Sequence, residues 1–208
     1  MREQDLIQRY PYLYHLAFGP AVWPSIGENG LQSASSLLAT WEVPEARRKR
    51  LVQTHRGETV ILRHRELGVA YLRDQHPMNA KMLQRALTDM TVAEWIEQLN
   101  SYVFFSPTIE RLESLYKAYA SRPRLVLTLQ TESVVRSLKD QVWLSPINTG
   151  AVRHIDHKRG SDTLAPLPAY SHKNVAEVAI KGVLPDVRTH LVALDVWSPD
   201  GLRSPLSA

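Results

Sequence analysis

The run Asn174-Val175-Ala176-Glu177-Val178-Ala179-Ile180 constrains the chain more than any other segment, because the strand it predicts is apolar on both faces except for one carboxylate. Val175, Val178 and Ile180 are β-branched, Asn174 opens the stretch, and Gly182 and Pro185 close it. That is the pattern of a strand bounded by turn residues. Alternation puts Glu177 on one face with Val175 and Ala179. An ionised Glu is seldom left on such a strand without a partner or a task. Three readings follow: an edge strand with Glu177 in water, a salt bridge to a nearby Arg, or a catalytic acid tuned by its surroundings.

Strand and helix patterns alternate irregularly along the rest of the chain. Residues 2–9 predict a short polar helix stopped by Pro11, and residues 13–17 a compact apolar strand carrying one imidazole, His15. Helices are predicted over 22–28, ended by Asn29-Gly30, and over 33–41 with Ser33 as cap. Residues 58–62 and 69–72 read as strands around a turn at 66–68, and 79–87 as a helix. Thr91 and Glu94 form a capping box ahead of a helix whose Val92, Trp95, Ile96 and Leu99 share one face, which makes Trp95 a core residue. Residues 102–105 predict a strand. Ser106-Pro107 then supplies an N-cap and an N1 proline for a helix with Ile109, Leu112, Leu115 and Tyr116 inward. Residues 125–129 and 191–194 are further strands.

The absence of a regular βαβ alternation and of Gly-x-Gly-x-x-Gly argues against a doubly wound nucleotide fold and for a mixed α+β domain. Gly-x-x-x-x-Gly-Lys, His-Glu-x-x-His and Gly-x-Ser-x-Gly are also missing, which counts against ATPase, zincin and α/β-hydrolase readings. With 208 residues and no Gly/Ser-rich or Pro-rich linker, a single domain is expected over 1–197, followed by a loose tail at 198–208. The net charge of +4 is modest, but the sequence pI of about 9.4 and the preference for Arg over Lys lean towards an anionic partner. The lack of cysteine excludes disulfides, thiolate zinc sites and a Cys nucleophile, and fits a reducing cytoplasm. The charged N-terminus has no apolar signal core, and no apolar stretch approaches the ~20 residues of a membrane span. A cytoplasmic protein with no membrane contact is expected.

Two segments read as functional loops. Arg73-Asp74-Gln75-His76-Pro77-Met78 is a polar cluster at a strand end. Residues 145–173 are long, polar and marked by Gly and Pro, with Arg153, Lys158, Arg159 and Lys173 outnumbering Asp156 and Asp162. A phosphate-bearing acceptor would suit this loop, and so would plain solvation. Arg47-Arg48-Lys49-Arg50 likewise suits a solvated helix face or phosphate contact. His154, His157 and His172 lack a fixed ligand spacing, so no metal site is expected.

Leu13-Tyr14-His15-Leu16, followed by Trp23-Pro24-Ser25-Ile26-Gly27-Glu28-Asn29-Gly30-Leu31, resembles the opening of the DarT-type DNA ADP-ribosyltransferases. Near the other end, Ala176-Glu177-Val178 and Leu184-Pro185-Asp186 are similar to that family's catalytic strand and the turn after it. The whole chain also looks like an uncharacterised bacterial family associated with that superfamily.

The resemblance implies an ADP-ribosyltransferase-like split pair of small curved sheets with flanking helices and an NAD cleft between them. It implies Glu177 as the catalytic acid and Arg73 near the NAD phosphates or the nicotinamide ribose, although Asp74 offers Arg73 a local partner. His15 would bind NAD through the adenosine ribose, with a satisfied core histidine as the bland alternative. Tyr14 and Phe105 would wall the nicotinamide, and Ser25, Asn29 and Gly30 would complete the cofactor contacts. Asn148, Thr149, Arg153, His154 and Arg159 would belong to the substrate loop. The implied activity is transfer of ADP-ribose from NAD to a macromolecule, nucleic acid ahead of protein, in a toxin paired with an antitoxin or macrodomain hydrolase. A non-catalytic binding module of the same fold and an NAD glycohydrolase are the alternatives.

Overall fold

The computed structural model describes residues 1–75, 78–152 and 157–207. Helix α1 (Glu3–Arg9) leads into β1 (Tyr12–Ala17), followed by α2 (Trp23–Asn29), β2 (Leu31–Gln32), α3 (Ala34–Thr40), α4 (Glu45–Gln53) and the hairpin β3 (Val60–His64) and β4 (Gly68–Leu72). The middle of the chain forms α5 (Ala80–Ala86), α6 (Val92–Asn100), β5 (Tyr102–Phe105), α7 (Ile109–Lys117), β6 (Arg124–Gln130), α8 (Thr131–Ser137) and β7 (Val142–Ser145). The last third adds β8 (Ala165–Pro166), β9 (Glu177–Lys181), β10 (Val183–Leu184), α9 (Val187–His190), β11 (Leu191–Trp197) and β12 (Arg203–Pro205). The mixed α+β class is as expected. No helix among the described residues is long and apolar enough to cross a membrane.

Two four-stranded antiparallel sheets, in the orders β1-β6-β11-β12 and β5-β9-β7-β8, carry the architecture, with the pairs β2–β10 and β3–β4 beside them. Period-two alternation explains how they pack. Leu13, Leu125, Leu127 and Leu129 of the first sheet meet Val103, Phe105, Leu144, Val178 and Ile180 of the second in one central core. The opposite face of the first sheet, with Leu16, Val126 and Trp197, is covered by Leu112 and its neighbours on α7. The second sheet turns Tyr102 and Ala179 towards Leu83, Trp95, Ile96 and Leu99 of α5 and α6. Trp95 is fully buried, and its helix starts at the predicted capping box.

Strand β9 lies between β5 and β7, so Glu177 is not on an edge strand. Val175 joins the central core while Ala179 faces α5 and α6, because the strand begins at Glu177 and the residues before it depart from its alternation. Glu177 thus shares a face with Ala179 but not with Val175.

Three other sequence expectations change. Ser106 does not cap α7: its backbone is taken by β1, with Tyr14 N–H donating to Ser106 O at 2.9 Å and Ser106 N–H to Tyr14 O at 2.8 Å. The cap moves to Thr108, whose side chain accepts from Arg111 N–H. The tail is tied down at Arg203–Pro205, which pairs with β11 and sets Arg203 over Trp197 at 3.9 Å. Helix α8 and strand β7 are not among the predicted elements.

The two ends of the family-like pattern meet in space. Gly30 ends α2 with φ 75°, and a Cβ there would lie 2.4 Å from Leu184 O on β10. Arg188 of α9 lies over the Trp23 ring at 4.8 Å and donates to Gly27 O at 3.3 Å. A Cβ at Gly27 would lie 2.6 Å from Arg188 Nη2, the free end of a flexible side chain. Gly30→Ala should therefore cost about 2–3 kcal/mol in denaturant unfolding, since positive φ and a backbone clash coincide. Gly27→Ala should stay within about 1 kcal/mol of wild type, because the gain in helix propensity offsets displacement of the arginine. Equal costs at the two positions would contradict this packing.

Candidate functional site

Glu177 sits where the second sheet ends and the 145–173 loop begins. Its Oε2 accepts from Thr149 N–H at 3.0 Å and from Thr149 Oγ1 at 2.7 Å. Thr149 itself is 1 % exposed. The turn carrying it is set by Asn148, whose Oδ1 accepts from Ala151 N–H at 2.9 Å. Arg159 is also buried and spans the same turn, donating from Nη2 to Asn148 O and Ala151 O and from Nη1 to His157 O. Its Nε is buried with no hydrogen-bond partner among the described residues. Burial raises the Glu177 carboxyl above its ordinary value, while the Thr149 bonds, Arg111 and Arg159 pull it down without cancelling that effect. Glu177 forms no salt bridge among the described residues. A partly buried carboxylate held by two donors, with the charges of Arg111 and Arg159 acting on it, can stabilise developing positive charge or accept a proton.

The backbone ladder shows how the sheets part. Tyr14 and Ser106 form a doubly bonded antiparallel pair, so the next such pair would be Leu16 with Phe104. Side chains take its carbonyls instead: His15 Nδ1 lies 2.9 Å from Phe104 O, and Arg73 Nη1 donates to Leu16 O at 3.3 Å. The His15 ring rests against Phe105 with centroids 5.5 Å apart. Burial first, then the Arg73 charge, lowers the His15 pKa to about 4, so its ring is neutral at neutral pH. A carbonyl only accepts, hence Nδ1 carries the proton and Nε2 keeps a lone pair as an acceptor.

Register assigns the two faces. Phe105 opposes Val178 and Tyr14 opposes Ser106, so one further step sets Ser106 opposite Glu177. Opposed residues share a face, which puts Tyr14, Ser106, Glu177 and Ser145 in one row and His15, Phe105 and Val178 in the next row, on the other face. The charges agree with this: Arg111 of α7 acts on Glu177 and Glu110 of the same helix acts on Tyr14.

The residues anticipated from sequence therefore fall into three groups. Glu177, Thr149, Asn148 and Arg159 come together, with Tyr14 on the same face. His15, Phe105 and Arg73 meet beside the point where the sheets part, and Phe105 is 1 % exposed, within the core. Ser25, Asn29 and Gly30 sit at the end of α2, where Asn29 Nδ2 donates to Ser25 O at 3.1 Å and Gly30 packs on β10. Arg153 and His154 lie outside the described residues. Arg111 was not anticipated; its only sequence signal is its position three residues after Thr108, the helix cap.

Linkage sets the sign of two effects. The folded value of about 4 for His15 lies below the ordinary 6.5, so the unfolded chain takes up a proton first as pH falls. The resulting stability is present above pH 6.5 and is lost towards pH 4, by at most about 3 kcal/mol. His15→Gln keeps a donor for Phe104 O and should flatten the stability–pH curve in that window; urea unfolding with a constant offset from wild type would contradict the assignment. Glu177→Gln keeps an acceptor for Thr149 and removes a charge disfavoured by burial. At pH 7 it should match wild type or exceed it by up to about 1 kcal/mol.

No curated protein matches the chain. Residues 11–191, which contain both rows of the site, match one family pattern. The chain belongs to that family, DUF7002, a family of unknown function.

Proposed function

We propose that this protein is an NAD-dependent ADP-ribosyltransferase that releases nicotinamide and transfers ADP-ribose to a macromolecular acceptor, nucleic acid in preference to protein. The observation that carries the reading is the Glu177 carboxylate, partly buried at the join of two small sheets, held by Thr149 and acted on by the charges of Arg111 and Arg159. The split pair of sheets supports it, as does the meeting of the opening and closing segments on which the family resemblance rests.

In this reaction the bond from ribose C1′ to the nicotinamide nitrogen breaks and its electron pair leaves with nicotinamide. The ribose becomes oxocarbenium-like, as in glycoside hydrolysis. Glu177 stabilises that cation and hydrogen-bonds the 2-hydroxyl. When the acceptor atom bonds to C1′, Glu177 takes its proton, a role suited to a carboxyl raised by burial. Thr149 and Arg159 position the acid. The net positive charge of +4 suits an anionic acceptor.

A second reading, a non-catalytic binding module, is favoured by the engagement of Glu177 Oε2 with Thr149. Incubation with NAD labelled in the adenylate, in separate pools of DNA, RNA and protein, separates the two. Wild type should release nicotinamide and label one pool, and Glu177→Gln should lose roughly 100-fold or more of that rate while remaining folded. Nicotinamide release without any labelled acceptor would identify a glycohydrolase. No release under conditions where NAD binds would reject catalysis.

A further inference from the structure

A cavity of about 230 Å³ opens beyond the end of β1, lined by Phe18, Thr59, Asp74, Ser121, Arg122 and Arg124 among others. Arg56 and Arg73 stand close behind it, with Arg56 Nε donating to Arg73 O at 3.4 Å and the Arg73 guanidinium over Tyr119 at 4.7 Å. None of the four arginines forms a salt bridge among the described residues.

Neutral groups hold Arg56, Arg73 and Arg124 instead. Arg124, 4 % exposed, donates to Tyr119 O at 2.9 Å and Phe18 O at 3.1 Å. Arg56, 8 % exposed, donates to Leu51 O and to Asn100 Oδ1. Asp74 is the only carboxylate lining the cavity among the described residues, and it also accepts from Thr59 Oγ1 at 3.1 Å. Burial and the neighbouring cations lower the Arg56 pKa to about 10 and depress that of Arg124. Four guanidiniums against one carboxylate leave an excess of positive charge that is partly desolvated at Arg56 and Arg124 and exposed at Arg122. Such charge is costly until an anion joins it.

We propose that this cavity binds the phosphoryl group of a small nucleotide, with Arg122 and Arg124 as its cationic ligands and the Thr59 and Ser121 hydroxyls beside them. Guanidinium groups present paired donors that match phosphate oxygens. The volume is below the roughly 300 Å³ at which whole-ligand pockets begin, which suits a phosphoryl group and part of its sugar. Phe18 offers no platform for a base: Tyr71 stacks on it at 4.1 Å, and Arg122 and Arg124 lie over the ring at 5.3 and 5.4 Å. Recognition therefore falls on phosphate rather than on the base. These ligands are distinct from the groups proposed to cleave NAD, so the site stands or falls separately.

Calorimetric titration of the full chain with AMP, inorganic phosphate and adenosine tests this without any turnover. AMP and phosphate should bind, and adenosine should bind at least tenfold more weakly than AMP. Arg122 is exposed and makes no hydrogen bond among the described residues, so Arg122→Gln should keep the wild-type melting temperature and weaken AMP about tenfold, with Arg122→Lys between. Glu177→Gln should leave AMP binding unchanged, which separates this proposal from the catalytic one. Equal binding of adenosine and AMP, no effect of Arg122→Gln, or tighter binding of an oligonucleotide without terminal phosphates than of AMP would overturn it.

Discussion

The doubly bonded pair of Tyr14 and Ser106 joins the two four-stranded sheets, and the geometry of the site follows from where that ladder stops. Had it continued to Leu16 and Phe104, the backbone would have satisfied both carbonyls and the sheets would have run together. His15 and Arg73 occupy those carbonyls instead. The sheets can then diverge without leaving buried acceptors unpaired, and their facing apolar surfaces pack as one core. His15 is thus both a satisfied histidine and a wedge, and its second nitrogen is left as an acceptor.

One step across from the same bridge, Glu177 begins the central strand of the second sheet. Its burial works against the charged form, and Thr149, Arg111 and Arg159 only partly offset that cost. A carboxylate kept under those conditions is the feature on which the proposed chemistry rests. The arginine cavity shows the same economy with the opposite sign: fixed cations held by carbonyls in place of carboxylates.

The elements legible in the sequence were those with strong local chemistry: the Thr91–Glu94 capping box, the Ser33 cap and the apolar strand around Glu177. The Asn148–Thr149 turn was legible only as part of a polar loop, because the bond from Thr149 to Glu177 spans 28 residues. Arg111 was hidden for the same reason, being an ordinary helical arginine until α7 packs beside Tyr14. Ser106 misled because a good capping residue can lose its backbone to a tertiary bridge. Gly27 and Gly30 stood out in the opening motif, yet what they meet lies at the far end of the chain, in Arg188 and Leu184. The division between the Tyr14–Glu177 face and the His15–Phe105 face needs the strand register, which no single stretch of sequence carries.

The most direct test of the central claim is a crystal structure of the Glu177→Gln protein with NAD. The nicotinamide ribose should lie within hydrogen-bond reach of residue 177, on the face shared with Tyr14 and Ser106. A ribose bound away from that face, with residue 177 still closed on Thr149, would contradict the account.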